Sequence, residues 1–200
     1  MTEVSSPGHY RFADFASAFA FAERVADDAA AGSAPALTIV VAWGLVTIAW
    51  SAAPLDDATV ARWAELARTL APGRPLPFVL GDAPPAGSLA AEPFVLPRAG
   101  DPALSPAAAA AACGRLGAGW TLDAGKLRRT YQPTSRAAVW SLARQLAALA
   151  EQLGHHPELT MADRRLEVLL WTHDVGGLTP ADVILAARCE RVWLARDDAD

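Results

Sequence analysis

Histidines able to move protons are concentrated in the second half of the chain. His155 and His156 follow the end of a predicted helix, and His173 follows a predicted strand. Histidine has an unperturbed pKa of about 6.5, so it can both accept and donate a proton near neutral pH. Asp174 and Asp182 supply carboxylates close by in the sequence. Because loop residues at element ends can converge, this pattern predicts a site for acid–base chemistry.

The same residues are also compatible with structural roles. The adjacent histidines could interact with the helix macrodipole, and Glu151 on the last helical turn could be an ordinary solvated residue. Three histidines and a carboxylate can bind zinc, although adjacent histidines point in different directions and the usual i, i+4 spacing is absent. Asp182 also completes the pattern of a capping box that begins at Thr179. These alternatives stay open at the level of residue types.

Two segments of the chain repeat one order of elements. The first predicts a helix ending at Gly32, a strand hairpin over 37–50 and a second helix over 57–70. The second predicts a helix ending at Gly154, two strands and a last helix over 180–194. The leading helix of each segment carries apolar residues at helical spacing: Phe12, Phe15, Phe19, Ala22 and Ala26 in one, and Val139, Leu142, Leu146, Leu149 and Leu153 in the other.

The matching order indicates an internal duplication in which only the second copy has the histidines. The second copy also has extra elements in front, a helix over 103–115 and two strands that run from Gly119 to Tyr131. The first copy has other residues where the second has His155, His156, His173 and Asp182; these are Ser33, Ala34, Ala52 and Thr59.

The predicted organisation is a degenerate unit over 8–71, a Pro/Gly-rich linker over 72–102 and a complete unit over 103–196. Proline resists regular structure, so only short extended pieces are expected in the linker, over 78–80 and 94–96. The fold class is α+β. Each unit should have an antiparallel sheet, four-stranded in the second unit and with fewer strands in the first, and helices packed on one face.

Composition argues against several classes of partner. A net charge of −5 does not suit a surface that binds nucleic acid. The uncharged stretch 36–55 is rich in β-branched residues and is flanked by acidic residues, so a buried hairpin is favoured over a membrane span. Cys113 and Cys189 match no metal-ligand spacing and are expected as reduced, buried thiols of a cytoplasmic protein, with a single disulfide between them as the alternative. Residues 1–7 show no signal peptide.

Three motifs stand in order in the second half of the chain: Glu151-x-x-x-His155-His156-Pro157-Glu158, Thr172-His173-Asp174 and Gly176-Gly177-Leu178-Thr179-x-x-Asp182. Together they resemble the pterin-4a-carbinolamine dehydratase family. Gly119-Trp120 fits the first strand of that family, and the resemblance spans roughly residues 103–195. The helix over 12–26 resembles the central helix of the family, as in a degenerate copy.

The resemblance implies dehydration of 4a-hydroxytetrahydrobiopterin to the quinonoid dihydropterin, with no metal and no cofactor. It implies that His155, His156 and His173 form the acid–base set and that Asp182 orients or polarises one of them. Leu159 and Asp163 depart from the family, which usually has aromatic residues at those positions. The residues implied to bind the pterin are Glu151, Pro157, Glu158, Thr172 and Asp174.

The resemblance also bears on assembly. The family pairs small subunits through their sheets, so a tandem copy could supply that partner within one chain. We expect an intramolecular pseudo-dimer of the two halves, and a homo-oligomer is compatible with any sheet edge left open. The alternative function is a non-catalytic protein-binding or assembly factor built on the same scaffold.

Overall fold

The computed structural model describes residues 4–32, 36–51, 55–70 and 83–196. Within them the chain alternates short groups of strands with single helices. The strands are β1 (Val4–Arg11), β2 (Leu37–Ala42), β3 (Leu45–Ser51), β4 (Trp120–Asp123), β5 (Lys126–Tyr131), β6 (Glu158–Ala162) and β7 (Arg165–Leu170). The helices are α1 (Phe15–Ala31), α2 (Asp57–Thr69), α3 (Pro106–Arg115), α4 (Arg136–Leu153) and α5 (Pro180–Ala195).

The described strands form one antiparallel sheet in the order β1-β3-β2-β6-β7-β5-β4. The β2–β6 junction divides this sheet into two similar parts. In each part the strand at the junction pairs with its hairpin partner, and that partner pairs with the strand that precedes a long helix. The order β2-β3-β1 in the first half therefore corresponds to β6-β7-β5 in the second. The second half adds β4 at its outer edge.

The two halves meet where β2 pairs with β6. Ile39 lies opposite Met161 and Val41 lies opposite Leu159, and all four side chains are buried. Above this junction, Phe19 of α1 packs edge-on against Trp140 of α4, with ring centroids 6.2 Å apart. The sheet and the hydrophobic core are therefore continuous from one half to the other.

The helices cover one face of the sheet. In a strand, side chains alternate between faces, and here alternate residues are buried while their neighbours are half-buried or exposed. The α+β prediction is confirmed, and so are the hairpin after Gly32, the two strands after Gly154 and the final helix.

Some elements differ from the sequence-based prediction. Strand β1 was not predicted; it pairs with β3 at the sheet edge, with a register shift between Ser5 and Gly8. Helix α3 begins at Pro106 rather than at 103, because Ser105 caps it and proline occupies its first turn. The expected extended piece over 94–96 is not a strand, and that over 78–80 lies outside the described residues.

Part of the predicted linker packs against the second half. Leu89 and Ala90 are buried in a short 3-10 turn beside α5. The Arg188 guanidinium of α5 donates to the carbonyl oxygens of Ala90 and Glu92 at 3.2 and 3.1 Å. This contact fixes the path of residues 89–92, and the chain continues from there to the site described below.

The helices and the two cysteines bear on the expectations for a membrane span and for free thiols. None of the helices in the described ranges is both long and apolar enough to cross a membrane. Cys113 and Cys189 are free thiols, and burial raises the pKa of each. Raised thiol pKa values disfavour the reactive thiolate.

Candidate active site

The end of α4 positions the first two histidines. Gly154 adopts the left-handed conformation, with φ of 64°, which glycine tolerates without strain. Its backbone N–H donates to carbonyl oxygens of the last helical turn, and the N–H of His155 donates to the Ala150 carbonyl at 3.1 Å. The chain therefore turns sharply and presents His155 and His156 beside the start of β6.

The third histidine lies in the turn that follows β7. Thr172 pairs with Gly177 in an isolated bridge, and the Thr172 N–H donates to the Gly177 carbonyl at 2.9 Å. Between them, a 3-10 turn over His173–Val175 holds the imidazole of His173 next to the Trp171 ring, with centroids 4.2 Å apart. The bridge fixes this turn close to the end of α4.

The three imidazoles share one open cleft of about 450 Å³. That volume lies within the range of small-molecule sites. The wall contains residues of the second half, of the segment before α3 and of the first half. The lining residues are Trp43, Leu96, Pro97, Gly154, His155, His156, Thr172, His173 and Asp174.

A fully buried carboxylate holds His155. Asp182 has no exposed surface, and its Oδ1 lies 2.8 Å from His155 Nε2. Its Oδ2 accepts hydrogen bonds from the Thr172 hydroxyl and the Thr179 backbone N–H, both at 2.8 Å. The predicted capping box at the start of α5 is present, so Asp182 both caps that helix and contacts an imidazole. These bonds offset the cost of burying its charge.

A different carboxylate holds His156. Nε2 of this residue lies 2.7 Å from Glu151 Oε1, one turn back on α4. Burial lowers the pKa of His156, an effect that the neighbouring Glu151 opposes and that His155 reinforces. Since Nε2 faces a carboxylate, it carries the proton of the neutral ring, and Nδ1 retains the free lone pair.

His173 is also shifted toward its neutral form. Partial burial lowers its pKa, and the positive charge of Lys126 lowers it further, while the carboxylates of Asp174 and Glu158 oppose the shift. The Lys126 ammonium lies 3.5 Å above the Trp171 ring, which holds the charge near this turn. Two imidazoles of the cleft therefore have pKa values below the ordinary value.

The structure separates the residues that the resemblance implied for pterin binding. Thr172 and Asp174 line the cleft, and Glu151 reaches it through His156. Pro157 is buried, and neither it nor Glu158 is part of the described cleft wall. The two departures from the family pattern lie elsewhere: Leu159 is buried in the core, and Asp163 borders a small cavity beside α1 and α4.

Sequence reasoning missed the aromatic and apolar parts of the wall. Trp43, at the tip of the β2–β3 hairpin, has its ring centroid 4.9 Å from that of His156. Phe15 of α1 lies 4.7 Å from the same imidazole, and Phe94 lies 6.1 Å from His155. The only sequence feature that could have pointed to this wall is Trp43 itself, a large aromatic residue at the turn of a predicted hairpin.

The first half has no matching histidine cluster among its described residues. Thr59 occupies the position predicted to correspond to Asp182, and its backbone N–H donates to Asp56 Oδ1, the N-cap of α2, at 2.8 Å. The positions predicted to correspond to the histidines, Ser33, Ala34 and Ala52, lie outside the described residues. Across the described ranges, His, Cys, Asp and Glu side chains form no group of three able to hold a metal ion.

Comparisons with known proteins identify one family. The sequence model of the family described as pterin 4 alpha carbinolamine dehydratase matches residues 102–192. A protein of Roseiflexus castenholzii is 39% identical over 80 residues, which cover 39% of this chain and 86% of the relative. A protein of Streptomyces coelicolor is 40% identical over 73 residues, which cover 36% of this chain and 72% of the relative. Both are named "Putative pterin-4-alpha-carbinolamine dehydratase".

A solved structure from Brucella melitensis, described as a transcriptional coactivator/pterin dehydratase, is also similar. It shares 28% sequence identity with a TM-score of 0.42, and the alignment covers 45% of this chain and 97% of that chain. Since 80 residues of this chain align with 86% of the Roseiflexus castenholzii relative at 39% identity, and the family model matches residues 102–192, this chain belongs to the pterin 4 alpha carbinolamine dehydratase family.

Proposed function

We propose that this protein dehydrates 4a-hydroxytetrahydrobiopterin to quinonoid dihydropterin, as a step in pterin recycling. One observation carries the proposal: three imidazoles line a single cleft of about 450 Å³. Membership of the family supplies the substrate class and the reaction type. The lowered pKa values of His156 and His173 keep two of the imidazoles neutral at neutral pH, as a general base must be.

The reaction requires two proton transfers. A neutral imidazole removes the proton from N5 of the pterin, and the electron pair of that N–H bond forms the N5=C4a double bond. The C4a–O bond breaks, and the departing hydroxyl leaves as water after it receives a proton from a second imidazole N–H. The two imidazoles then return to their starting states by passing the proton between them or through solvent. No electrons are gained or lost in the step.

The carboxylates of the site have positioning roles in this proposal. Asp182 fixes the ring of His155, and Glu151 fixes the ring of His156. Thr172 and Asp174 are assigned to pterin binding because they line the cleft. Pro157 is assigned to the shape of the turn after His156, and Glu158 to the charge balance of His173.

The test follows formation of quinonoid dihydropterin by wild-type protein and by the double variant His155→Ala/His156→Ala. The wild type should exceed the uncatalysed rate. Each single alanine variant at His155, His156 or His173 should lower kcat by up to about 10²–10⁴-fold, the range for a positioned proton transfer. The losses should not multiply, because residues that act as one unit are not additive.

The chain offers a matched control in its fourth histidine. His9 is exposed on β1, bonds to Thr47 at 3.1 Å and is not among the residues that line the cleft. His9→Ala should therefore leave kcat unchanged. If the double variant dehydrates the carbinolamine at the wild-type rate, the catalytic assignment is wrong and the protein is better explained as a non-catalytic scaffold.

We also propose that the first half is a degenerate copy that forms an intramolecular pseudo-dimer with the second. The proposed boundaries are 8–71 for this copy, 72–102 for the linker and 103–196 for the catalytic unit. The corresponding strand orders on the two sides of the β2–β6 junction support this proposal. The packing of Phe19 on Trp140 supports it as well, because it joins the two equivalent helices.

A further inference from the structure

Trp43 is the part of the cleft wall that comes from the first half of the chain. It occupies the first position of the two-residue turn between β2 and β3, and 57% of its surface is exposed. Its ring lies at 50° to the imidazole of His156, with centroids 4.9 Å apart, and it lines the same cleft as all three histidines. A large aromatic side chain thus stands at the open side of the site, with most of its surface uncovered.

The turn that carries Trp43 is held rigidly. Gly44 has φ of 61°, and a Cβ at this position would lie 2.7 Å from the carbonyl oxygen of Phe12. The Phe12 N–H donates to the Gly44 carbonyl at 2.8 Å, which ties the hairpin tip to the chain just before α1. The backbone at Trp43 is therefore held by contacts of the hairpin tip, while the indole itself is not buried in the core.

The surroundings of the indole suit a flat ring. The ring centroid of Phe15 lies 4.7 Å from that of His156. Two aromatic residues of the first half, Phe15 and Trp43, are therefore next to this imidazole. Leu96, half of whose surface is exposed, and Pro97 provide apolar surface in the same cleft. Aromatic faces bind flat heteroaromatic rings by offset or tilted stacking and by burial of apolar area.

We infer that Trp43 is a substrate-binding residue that stacks against the bicyclic ring of the pterin, so that the first half contributes directly to affinity. This inference rests on the proposed function for its ligand class. It assigns the first half a role in recognition in addition to the packing of its sheet and helix. Trp43 should accordingly affect KM and Kd, while the proton transfers remain with the histidines.

The experiment compares wild type with Trp43→Ala and Trp43→Phe. Three quantities are measured: KM and kcat for the carbinolamine, and Kd by calorimetry for 7,8-dihydrobiopterin, a dihydropterin without the 4a-hydroxyl. Trp43→Ala should raise KM and Kd by about tenfold, within the range found for aromatic stacking on a base. Trp43→Phe keeps a ring and should stay within about threefold of wild type. Val60→Ala, an exposed apolar change on α2 of the same half, should match wild type.

The outcomes separate this inference from the proposed function. Unchanged KM and Kd in Trp43→Ala would overturn the inference while leaving the dehydratase proposal intact. A fall in kcat alone would also overturn it, because Trp43 would then act by orienting His156. If wild type binds dihydrobiopterin in a Trp43-dependent way but does not dehydrate the carbinolamine, the inference holds and the proposed activity is wrong. If wild type neither binds nor reacts, both are wrong.

Discussion

Adjacent histidines in this cleft differ in their partners. His155 contacts a carboxylate that is wholly buried and bound by three residues, whereas His156 contacts the half-buried Glu151. Two titratable groups with different environments suit different roles in acid–base chemistry. The pH dependence of activity is therefore the most direct report on the site at the scale of single residues.

Glu151→Gln should move the acidic limb of the kcat/KM profile to lower pH. The negative charge of Glu151 raises the pKa of His156 against the effect of burial, so its removal lets that pKa fall further. In the proposed mechanism the active form is the neutral imidazole, and a lower pKa keeps it neutral in more acidic solution. The measurement is kcat/KM of both proteins between about pH 5 and 8, where unperturbed histidine titrates.

Glutamine keeps an oxygen that accepts the hydrogen bond from Nε2, so the ring orientation is retained. The control is Glu65→Gln on α2, since Glu65 pairs with Arg68 away from the cleft. If the acidic limb of the kcat/KM profile moved to higher pH in Glu151→Gln, the group responsible for that limb would be one other than His156.

Asp182 has a larger structural role than a helix cap. Asp182→Ala leaves the His155 ring, the Thr172 hydroxyl and the Thr179 N–H without their buried acceptor. Each unsatisfied buried group costs about 1–3 kcal/mol, so the free energy of unfolding should fall by about 3 kcal/mol or more. A cap alone would cost only about 0.5–2 kcal/mol. Urea unfolding measures the difference.

Thr172→Val provides the comparison for Asp182→Ala. Valine has nearly the shape of threonine, and the variant removes one donor to Asp182 together with the hydrogen bond to the Thr179 hydroxyl. His155 and the Thr179 N–H keep their contacts with Asp182. It should lower the free energy of unfolding by about 1 kcal/mol. Equal losses in the two variants would contradict the network described for Asp182.

At the scale of elements, α1 and α4 join the two halves by two kinds of contact. Phe19 is fully buried and packs on Trp140, while Arg144 of α4 forms an exposed ion pair with Glu23 of α1. Buried apolar area and exposed ion pairs contribute very different amounts to stability. The two contacts therefore offer a matched pair of substitutions at one interface.

Phe19→Ala should reduce the free energy of unfolding by about 3–5 kcal/mol, the cost of a large cavity in a packed core. Arg144→Ala should reduce it by less than about 1 kcal/mol, because solvent screens the pair. Urea denaturation at neutral pH gives both values. Similar losses would contradict this prediction, because the charged contact would then contribute as much as the apolar one to holding α1 against α4.

Most elements could be predicted because their patterns are local. The apolar stripe of α4 and the β-branched hairpin around Gly44 are recognisable from spacing alone. Strand β1 lacks such a pattern, since Pro7 and Gly8 disfavour a strand interior and are tolerated at an edge with a register shift. The three histidines lie at element ends as expected, but no local signal connects Trp43 or Leu96 with a cleft built more than fifty residues away.

The whole molecule is organised around the β2–β6 junction. Because the sheet is continuous and buried residues from both halves form one core, neither half presents a complete surface by itself. The second half would expose the backbone groups of β6 and the apolar face of α4 if the first were absent. An open strand edge of this kind is a template for pairing with other chains.

The chain should accordingly unfold in one cooperative transition. Tryptophans lie in both halves, so intrinsic fluorescence and far-ultraviolet circular dichroism should give the same urea midpoint. Ile39→Ala removes a buried side chain opposite Met161 in the junction and should cost about 2–4 kcal/mol. Since one core links the halves, it should lower both midpoints together, although the substitution lies in the first half. Two separate transitions, or a shift seen by only one probe, would show that the halves fold independently.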